Sequence, residues 1–223
     1  ASDVYKRQLA HPKGGIMNID VLSFGRLAYR VFEEVGQDAR VVLDDEGKNL
    51  VLRKIAGECE KDLKVFKGNL KKQGYISEVK SVLSEFAQYG VDFERLDDFM
   101  KEVPPESYLH YKLDDIRTIY EKFEEYLSEK YITKEEMLDV LSDAVPYSDI
   151  LKGSVVAMDG FTGFTPVQNR LIGELFSVCE KVMITVTMDG RENPYVYEHP
   201  YQIFALGKQM VTSLMKIAGE KKT

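Results

Sequence analysis

The sequence predicts an α/β fold in which a parallel sheet is interrupted by an all-helical insertion. Short β-branched or apolar runs lie towards the two ends of the chain, at residues 18–22, 40–43, 155–158 and 182–187. From residue 48 to residue 145, apolar residues instead recur at the three- and four-residue spacing of amphipathic helices. The last two runs flank a single helical stretch, which is typical of a βαβ unit with two parallel strands.

The first predicted strand leads directly into a helix. Residues 18–22 alternate in polarity, and Ser23 is a suitable N-cap for the helix that follows. Helical spacing then runs through four apolar residues, Phe24, Leu27, Val31 and Val35. Gly36 is typical of a helix C-terminus. A second strand at residues 40–43 is expected to end in a turn at residues 44–47.

Five helices are expected in the insertion, which spans residues 48–145. The first is indicated by an apolar stripe of Ile55, Cys59, Leu63, Phe66 and Leu70. The next three helices end at Gly90, before Pro104 and near Leu127. The fifth begins with a capping box, in which the side chains of Thr133 and Glu136 each bond to the other residue's backbone N–H group.

The C-terminal part predicts a βαβ unit followed by a last helix. Residues 155–158 and 182–187 are apolar enough for buried parallel strands. Between them a helix is expected from Pro166 to Cys179, with proline in its first turn. The last helix covers about residues 202–218.

Charge is unevenly distributed in this chain, whose formal net charge is −7. Because a small electrostatic DNA binder is normally basic, any DNA contact must be local. Residues 48–80 contain nine Lys and Arg against four Asp and Glu, whereas residues 91–151 contain seven against seventeen. In the basic part, Lys64, Lys67 and Lys71 have the spacing of one helix face. This face predicts either a stripe that contacts phosphates or an ordinary solvated surface.

The composition disfavours several kinds of site and location. Cys59 and Cys179 lie far apart and outside any Cys-x-x-Cys pair, so they are expected to be reduced in a cytoplasmic protein, although a disulfide stays open. The three histidines lack metal-ligand spacing, and no metal site is expected. No apolar run approaches the roughly 20 residues of a membrane span. Residues 1–13 join no pattern and are interpreted as a non-native or disordered leader.

One segment resembles a motif of DNA helicases. Residues 21–30 read Val-Leu-Ser-Phe-Gly-Arg-Leu-Ala-Tyr-Arg and resemble the Thr-Phe-His motif of superfamily 1 helicases of the UvrD/RecB type, with Gly25 in place of the usual His. In those helicases the motif lines the path of single-stranded DNA. The resemblance therefore implies a DNA-binding set of Ser23, Phe24, Arg26 and Arg30. A hydroxyl and helix N-terminal N–H groups suit a phosphate, and an aromatic ring suits a base.

A second segment resembles the Walker B region of the same helicases. In residues 155–168, the matching positions are Asp159, Phe161 and Gln168. Gly160 replaces the Glu that would orient the attacking water, so this Walker B region is degenerate. No Gly-x-x-x-x-Gly-Lys-Ser/Thr phosphate loop occurs in the 223 residues. Asp159 either caps the strand end or holds a magnesium ion, as Walker B aspartates do.

The spelling Asp-Gly-Phe-Thr-Gly-Phe-Thr-Pro-x-Gln at residues 159–168 is similar to the B subunits of bacterial AddAB-type helicase–nucleases. This resemblance covers essentially residues 14–220. It implies a degenerate P-loop NTPase fold of the superfamily 1 helicase type, with a partial α/β core at residues 14–47 and 146–223 and the helical insertion at residues 48–145. The chain would be the N-terminal helicase-like part of a much longer subunit.

The resemblance also implies a function in DNA double-strand break repair and recombination. The A subunit would supply ATP-driven translocation in a cytoplasmic heterodimer, while the B subunit would hold the emerging single strand and scan it for a Chi-type sequence. The substrates would be single- and double-stranded DNA, with no membrane contact. A 4Fe–4S cluster, Mg²⁺ and nuclease activity would belong to the full-length subunit, and no cofactor or catalytic residue is expected in this chain. Two alternatives stay open: an active superfamily 1 helicase fragment whose phosphate loop lies upstream, and an adaptor that binds only protein.

Overall fold

A computed structural model describes five stretches of the chain, residues 19–36, 40–70, 72–128, 130–197 and 199–221, with only the backbone of Gln73. The predicted leader at residues 1–13 lies outside them. The described elements are, in order, α1 (Phe24–Val35), β1 (Val41–Leu43), α2 (Asp45–Glu58), α3 (Gln73–Tyr89), α4 (Phe93–Glu102), α5 (Tyr108–Leu127), β2 (Tyr131–Thr133), α6 (Glu136–Ala144), a 3₁₀ turn (Val145–Tyr147), β3 (Val155–Met158), α7 (Pro166–Val178), β4 (Lys181–Ile184) and α8 (Ala205–Lys221). None of these helices is both long and apolar enough to cross a membrane.

The described strands form two parallel pairs. In one, Val42 of β1 lies opposite Ile132 of β2. In the other, Val156 of β3 lies opposite Val182 of β4, and α7 connects these two strands. This is the predicted βαβ unit, and the α/β class is confirmed as small parallel sheets with many helices.

The prediction that residues 48–145 are all helical is wrong, because β2 lies among them. Two of its three residues, Ile132 and Thr133, are β-branched and favour a strand. A run this short is not revealed by apolar periodicity, so only its pairing with β1 identifies it. The capping box that follows is confirmed: Thr133 N–H donates to Glu136 Oε2 at 2.7 Å, and Glu136 N–H donates to Thr133 Oγ1 at 3.2 Å.

A second correction concerns residues 59–70, which form turns after α2 ends at Glu58. Their predicted burial is nevertheless confirmed for Cys59, Leu63, Phe66 and Leu70. The carboxylate of Asp115, only 1% exposed on α5, accepts backbone N–H bonds from residues 64, 65 and 66 at 2.8, 2.7 and 2.8 Å. These bonds replace the helical hydrogen bonds that the apolar spacing had predicted.

Two further predictions near the N-terminus are wrong. Residues 19–22 form no strand in the structure, and Ile19 is 61% exposed; Asn18, the first residue of that prediction, lies outside the described stretches. The predicted turn at residues 44–47 is the start of α2. Asp44 caps this helix, since its Oδ1 accepts the Gly47 N–H at 2.7 Å.

The buried apolar residues divide into two clusters. The helical cluster comprises buried residues between Leu43 and Leu127, contributed by α2 to α5 and the turns between them. The sheet cluster comprises Ala28 and Val31 of α1 together with buried residues between Ile132 and Leu214. Burial of β3 and β4 is less complete than predicted, because one face of their pair is not covered by the described residues; Val155 is 55% and Met183 42% exposed there.

Helices α1 and α6 pack together and run in the same direction. At their first turns, a methyl group added at Gly25 would lie 3.4 Å from Met137 Cε. At the other end, Glu34 accepts the Ser148 hydroxyl at 2.5 Å and the Ile150 N–H at 2.8 Å. The N-termini of the two helices therefore lie at the same end of the molecule.

Candidate nucleic-acid interface

The predicted start and end of α1 are confirmed. Ser23 has extended backbone angles, and its Oγ accepts the Arg26 N–H at 3.3 Å. Gly36 ends the helix with a φ of 71°, in the left-handed region that glycine adopts without strain. The exposed Ser23 hydroxyl thus lies at the positive end of the helix dipole, where an anion is favoured.

Phe24 joins the two helicase-like segments. Its ring centroid lies 5.7 Å from that of Phe161, with an angle of 43° between the ring planes. Phe161 in turn lies 4.9 Å from Phe164, which precedes the N-cap of α7. The start of α1 and the start of α7, remote in sequence, are therefore held together by three aromatic rings.

Arg26 and Arg30 lie on the exposed side of α1. The guanidinium of Arg30 forms an ion pair with the carboxylate of Asp20, and the two side chains are 43% and 52% exposed. Tyr29, which the motif comparison did not single out, is 51% exposed on the same side. Its spacing of three residues from Arg26 is the signal that predicts a shared face.

Asp159 lies exposed just after β3 and bonds to the neighbouring strand. Its Oδ1 accepts the Thr185 hydroxyl at 2.5 Å, and Thr185 N–H donates to the Met158 carbonyl at 3.0 Å. Thr185 follows β4, so these bonds join the carboxyl ends of both strands. This geometry fits the strand-capping interpretation of Asp159.

Gly160 adopts a φ of 82°, which L-residues with a side chain rarely adopt. Among the described residues, no atom lies within 4 Å of the position where a Cβ would stand. The obstacle to a glutamate at this position is therefore the backbone conformation rather than lack of space.

The side chain of Gln168 holds the start of α7. Its Oε1 accepts the Thr165 N–H at 3.0 Å, and its own N–H donates to Thr165 Oγ1 at 3.4 Å. These reciprocal bonds form a capping box, with Pro166 at the first helical position. The residue that matches the Walker B region in sequence is thus used here to begin a helix.

The predicted lysine stripe is not a helix face, because Lys64 and Lys67 lie in the turns of residues 59–70. Lys64 Nζ bonds to Asp114 at 2.9 Å and lies 4.8 Å from the centroid of the Tyr111 ring. The hydrogen bond to Asp114 raises the pKa of Lys64, so the ammonium is stabilised as a cation that already has a carboxylate partner. Lys67 is exposed, and Lys71 lies outside the described residues.

The cysteines do not form a site. Cys59 is buried in the helical cluster and Cys179 is partly buried beside the sheet cluster, and both are free thiols whose pKa is raised by burial. An iron–sulfur cluster takes four protein ligands, mostly cysteines, which two distant thiols do not supply. Across the described stretches, no group of three or more His, Cys, Asp and Glu residues is arranged to hold a metal ion.

Comparison with known proteins matches residues 5–223 to the family described as "ADDB, N-terminal". The B subunit of an ATP-dependent helicase/deoxyribonuclease from Lachnoclostridium phytofermentans is 43% identical over 213 residues, which are 95% of this chain and 18% of that protein. Proteins of the same name from Thermoanaerobacter sp. (strain X514) and Alkaliphilus metalliredigens are 38% identical over 204 residues and 36% identical over 175 residues. These two matches cover 92% and 78% of this chain, and 17% and 15% of those proteins.

The parallel strand pairs and the joined segments around Phe24 and Phe161 define an α/β protein with two helicase-like motifs. The family match is more specific: the chain belongs to the ADDB N-terminal family. It spans less than a fifth of the length of the relatives described above.

Proposed function

We propose that this chain is a helicase-like scaffold within the B subunit of a helicase–deoxyribonuclease, where it guides single-stranded DNA during DNA repair and recombination without hydrolysing ATP. The observation that carries the proposal is the contact between Phe24 and Phe161. It brings the DNA-path segment and the degenerate Walker B segment together, as expected if both derive from one helicase site. The names of the relatives are consistent with this assignment.

Guidance of a nucleic-acid strand is supported by the chemistry at the start of α1. Arg26 and Arg30 are exposed cations beside the Ser23 hydroxyl and the positive end of the helix. Guanidinium groups and helix N-terminal N–H groups are both suited to phosphate oxygens. Because the chain as a whole carries a net charge of −7, such a local cationic face is the form in which it would contact DNA.

Lack of hydrolysis is supported by three features. The chain contains no phosphate loop of the Gly-Lys-Ser/Thr type. Gly160 stands where a water-orienting glutamate would be, in a conformation that disfavours any side chain. Asp159 bonds to the Thr185 hydroxyl, so its carboxylate is used to join two strand ends.

The remaining proposals concern the longer subunit. An A subunit supplies ATP-driven translocation in a cytoplasmic heterodimer, and this region takes part in scanning the strand for a Chi-type sequence. A 4Fe–4S cluster and Mg²⁺ serve regions beyond residues 1–223. Within this chain, Asp159 is the carboxylate that matches a magnesium-binding Walker B aspartate, and its bond to Thr185 gives it a structural role instead.

Fluorescence anisotropy with a single-stranded oligonucleotide, measured across a salt series with and without ATP and magnesium, tests the proposal. We expect salt-sensitive binding that does not change with ATP, and that is weakened roughly tenfold by Phe24→Ala or Arg30→Ala. Lys101→Ala is the matched control, since Lys101 is an exposed cation paired with Asp98 on α4, in the helical cluster. Circular dichroism establishes that each variant is folded.

Each other outcome points to a different function. Binding that changes with ATP would identify an active nucleotide site and a helicase of the hydrolysing kind. A folded chain that does not bind the oligonucleotide would be an adaptor that binds only protein. Equal losses in Arg30→Ala and Lys101→Ala would show that the binding is not localised on α1.

A further inference from the structure

The outer face of α1 presents three neighbouring side chains to solvent. Arg26, Tyr29 and Arg30 fall within about 100° of the helix circumference, since successive residues are separated by about 100°. The buried residues of α1, Ala28 and Val31, lie on the opposite side, in the sheet cluster. The face thus offers one aromatic ring between two guanidinium groups.

Tyr29 is the aromatic residue of this helix that is available to a ligand. The ring of Phe24 is half-buried and packs against Phe161, so its contacts are with the protein. Tyr29, in contrast, is 51% exposed and has a ring that can stack on a base. A tyrosine flanked by arginines is suited to a strand that carries both bases and phosphates.

The ion pair between Arg30 and Asp20 shows that the guanidinium faces an oxyanion. Both side chains are about half exposed, and surface ion pairs of this kind contribute little to stability because water screens them. The planar guanidinium fork fits a phosphate as well as a carboxylate. Asp20 therefore occupies the position at which a backbone phosphate of a nucleic acid would bind.

We propose that the outer face of α1 is the track of a single nucleic-acid strand, on which Tyr29 stacks with a base and Asp20 competes with a phosphate for Arg30. The inference rests on the proposed function and adds to it a base-contacting residue and an intramolecular brake. Asp20 lowers the affinity for any strand, which favours release and movement of the strand over tight holding.

The brake is tested by Asp20→Asn in the 223-residue chain, with oligo(dT) anisotropy as the readout. We expect affinity to rise several-fold, and the slope of log K against log salt to steepen by about 0.7, the value for one additional phosphate contact on a single strand. Asp98→Asn is the control, because Asp98 is also an exposed carboxylate that is paired with a cation, Lys101 on α4. It removes the same charge and is expected to leave the slope unchanged.

A double variant identifies the partner of Asp20. In an Arg30→Ala background, Asp20→Asn should give no gain in affinity, because the group for which Asp20 competes is absent. An equal gain in both backgrounds, or equal effects of Asp20→Asn and Asp98→Asn, would overturn the brake and indicate a general charge effect.

Stacking is tested by comparing Tyr29→Ala with Tyr29→Phe on oligo(dT) and on an abasic strand of the same length. Tyr29→Ala should weaken binding to oligo(dT) roughly tenfold, and binding to the abasic strand little, since no base is available to stack. Tyr29→Phe should retain both affinities. Equal losses on both strands would exclude a base contact.

The outcomes separate this inference from the function on which it rests. If the unaltered chain binds the strand but the Asp20 and Tyr29 variants behave like it, the proposed function stands and the inference fails. If neither the unaltered chain nor Asp20→Asn binds, both fail together.

Discussion

Glu124 of α5 shares a hydrogen bond with Glu136 at the start of α6, where the helical cluster meets the sheet cluster. Burial disfavours the charged form of Glu124, and the neighbouring Glu136 carboxylate disfavours it further. Together these effects raise the pKa of Glu124 to about 7. A proton shared by the two carboxyl groups thus holds together two parts of the chain whose apolar residues pack separately.

The first prediction is that stability decreases as pH rises through neutrality. The pKa of Glu124 is higher in the folded chain, about 7, than its ordinary value of 4.5. The folded state therefore binds the proton more tightly, and this contribution is complete below pH 4.5 and lost as pH rises through about 7. Glu124→Gln should remove the dependence and raise stability at pH 8 by about 1 kcal/mol, after allowance for solvent screening.

Urea unfolding at pH 5.5 and pH 8 measures this effect. Glu125→Gln is the matched control, because Glu125 is the next residue and is exposed. A difference between the two pH values that persists unchanged in Glu124→Gln would assign it to another group.

The second prediction concerns the buried ion pair of Lys48 and Glu135. Their Nζ and Oε2 atoms are 2.6 Å apart, the Lys48 side chain is 3% exposed, and its ammonium also bonds to Ser84 at 3.2 Å. Glu135→Leu leaves a buried cation without its carboxylate and should lower the free energy of unfolding by about 3 kcal/mol. The double variant Lys48→Met/Glu135→Leu should recover most of this loss, as a double-mutant cycle by chemical denaturation would show. If the double variant is as unstable as Glu135→Leu alone, packing rather than charge sets the cost.

The third prediction is that Gly160→Glu does not create ATPase activity and destabilises the chain. The φ of 82° at Gly160 would cost a side-chain residue about 1–2 kcal/mol. Gly163→Glu is the control, since Gly163 lies in the same loop, has no positive φ and has no described atom within 4 Å of an added Cβ. Thermal unfolding compares the two variants, and equal shifts would mean that the backbone at Gly160 adapts freely.

The fourth prediction separates the capping function of Gln168 from any catalytic one. Gln168→Ala removes the acceptor for the Thr165 N–H and should cost about 1 kcal/mol. Gln168→Glu keeps the acceptor and should restore stability, since glutamate serves equally in a capping box. Calorimetry of both variants gives the comparison. Loss of strand binding in Gln168→Glu without loss of stability would contradict a purely structural role.

Elements with strong local signals were predictable from the sequence. Ser23 and Gly36 delimit α1 as expected, and Pro166 begins α7, because a cap or a fixed φ depends on a few neighbouring residues. The turns at residues 59–70 were not predictable, since they depend on the carboxylate of Asp115, which is remote in sequence. Apolar spacing there reported burial correctly and helix wrongly.

The candidate site shows the same division. The motif comparison found Ser23, Phe24 and Arg30, which are identifiable by residue type and order. It did not reveal that Phe24 packs on Phe161, that Arg30 pairs with Asp20, or that Gln168 caps a helix, because each depends on contacts formed in the folded chain. The raised pKa of Glu124 likewise arises only from burial between packed helices.

The left-handed backbone at Gly160 has an evolutionary consequence. A glycine codon can become a glutamate codon by one nucleotide change, so the missing carboxylate is genetically close. The new side chain would nevertheless enter a strained backbone at a position from which it has no assurance of facing a nucleotide. Reversal therefore requires the loop to be rebuilt before the substitution has any value to selection, and descendants of this lineage are expected to keep their ATP-independent form.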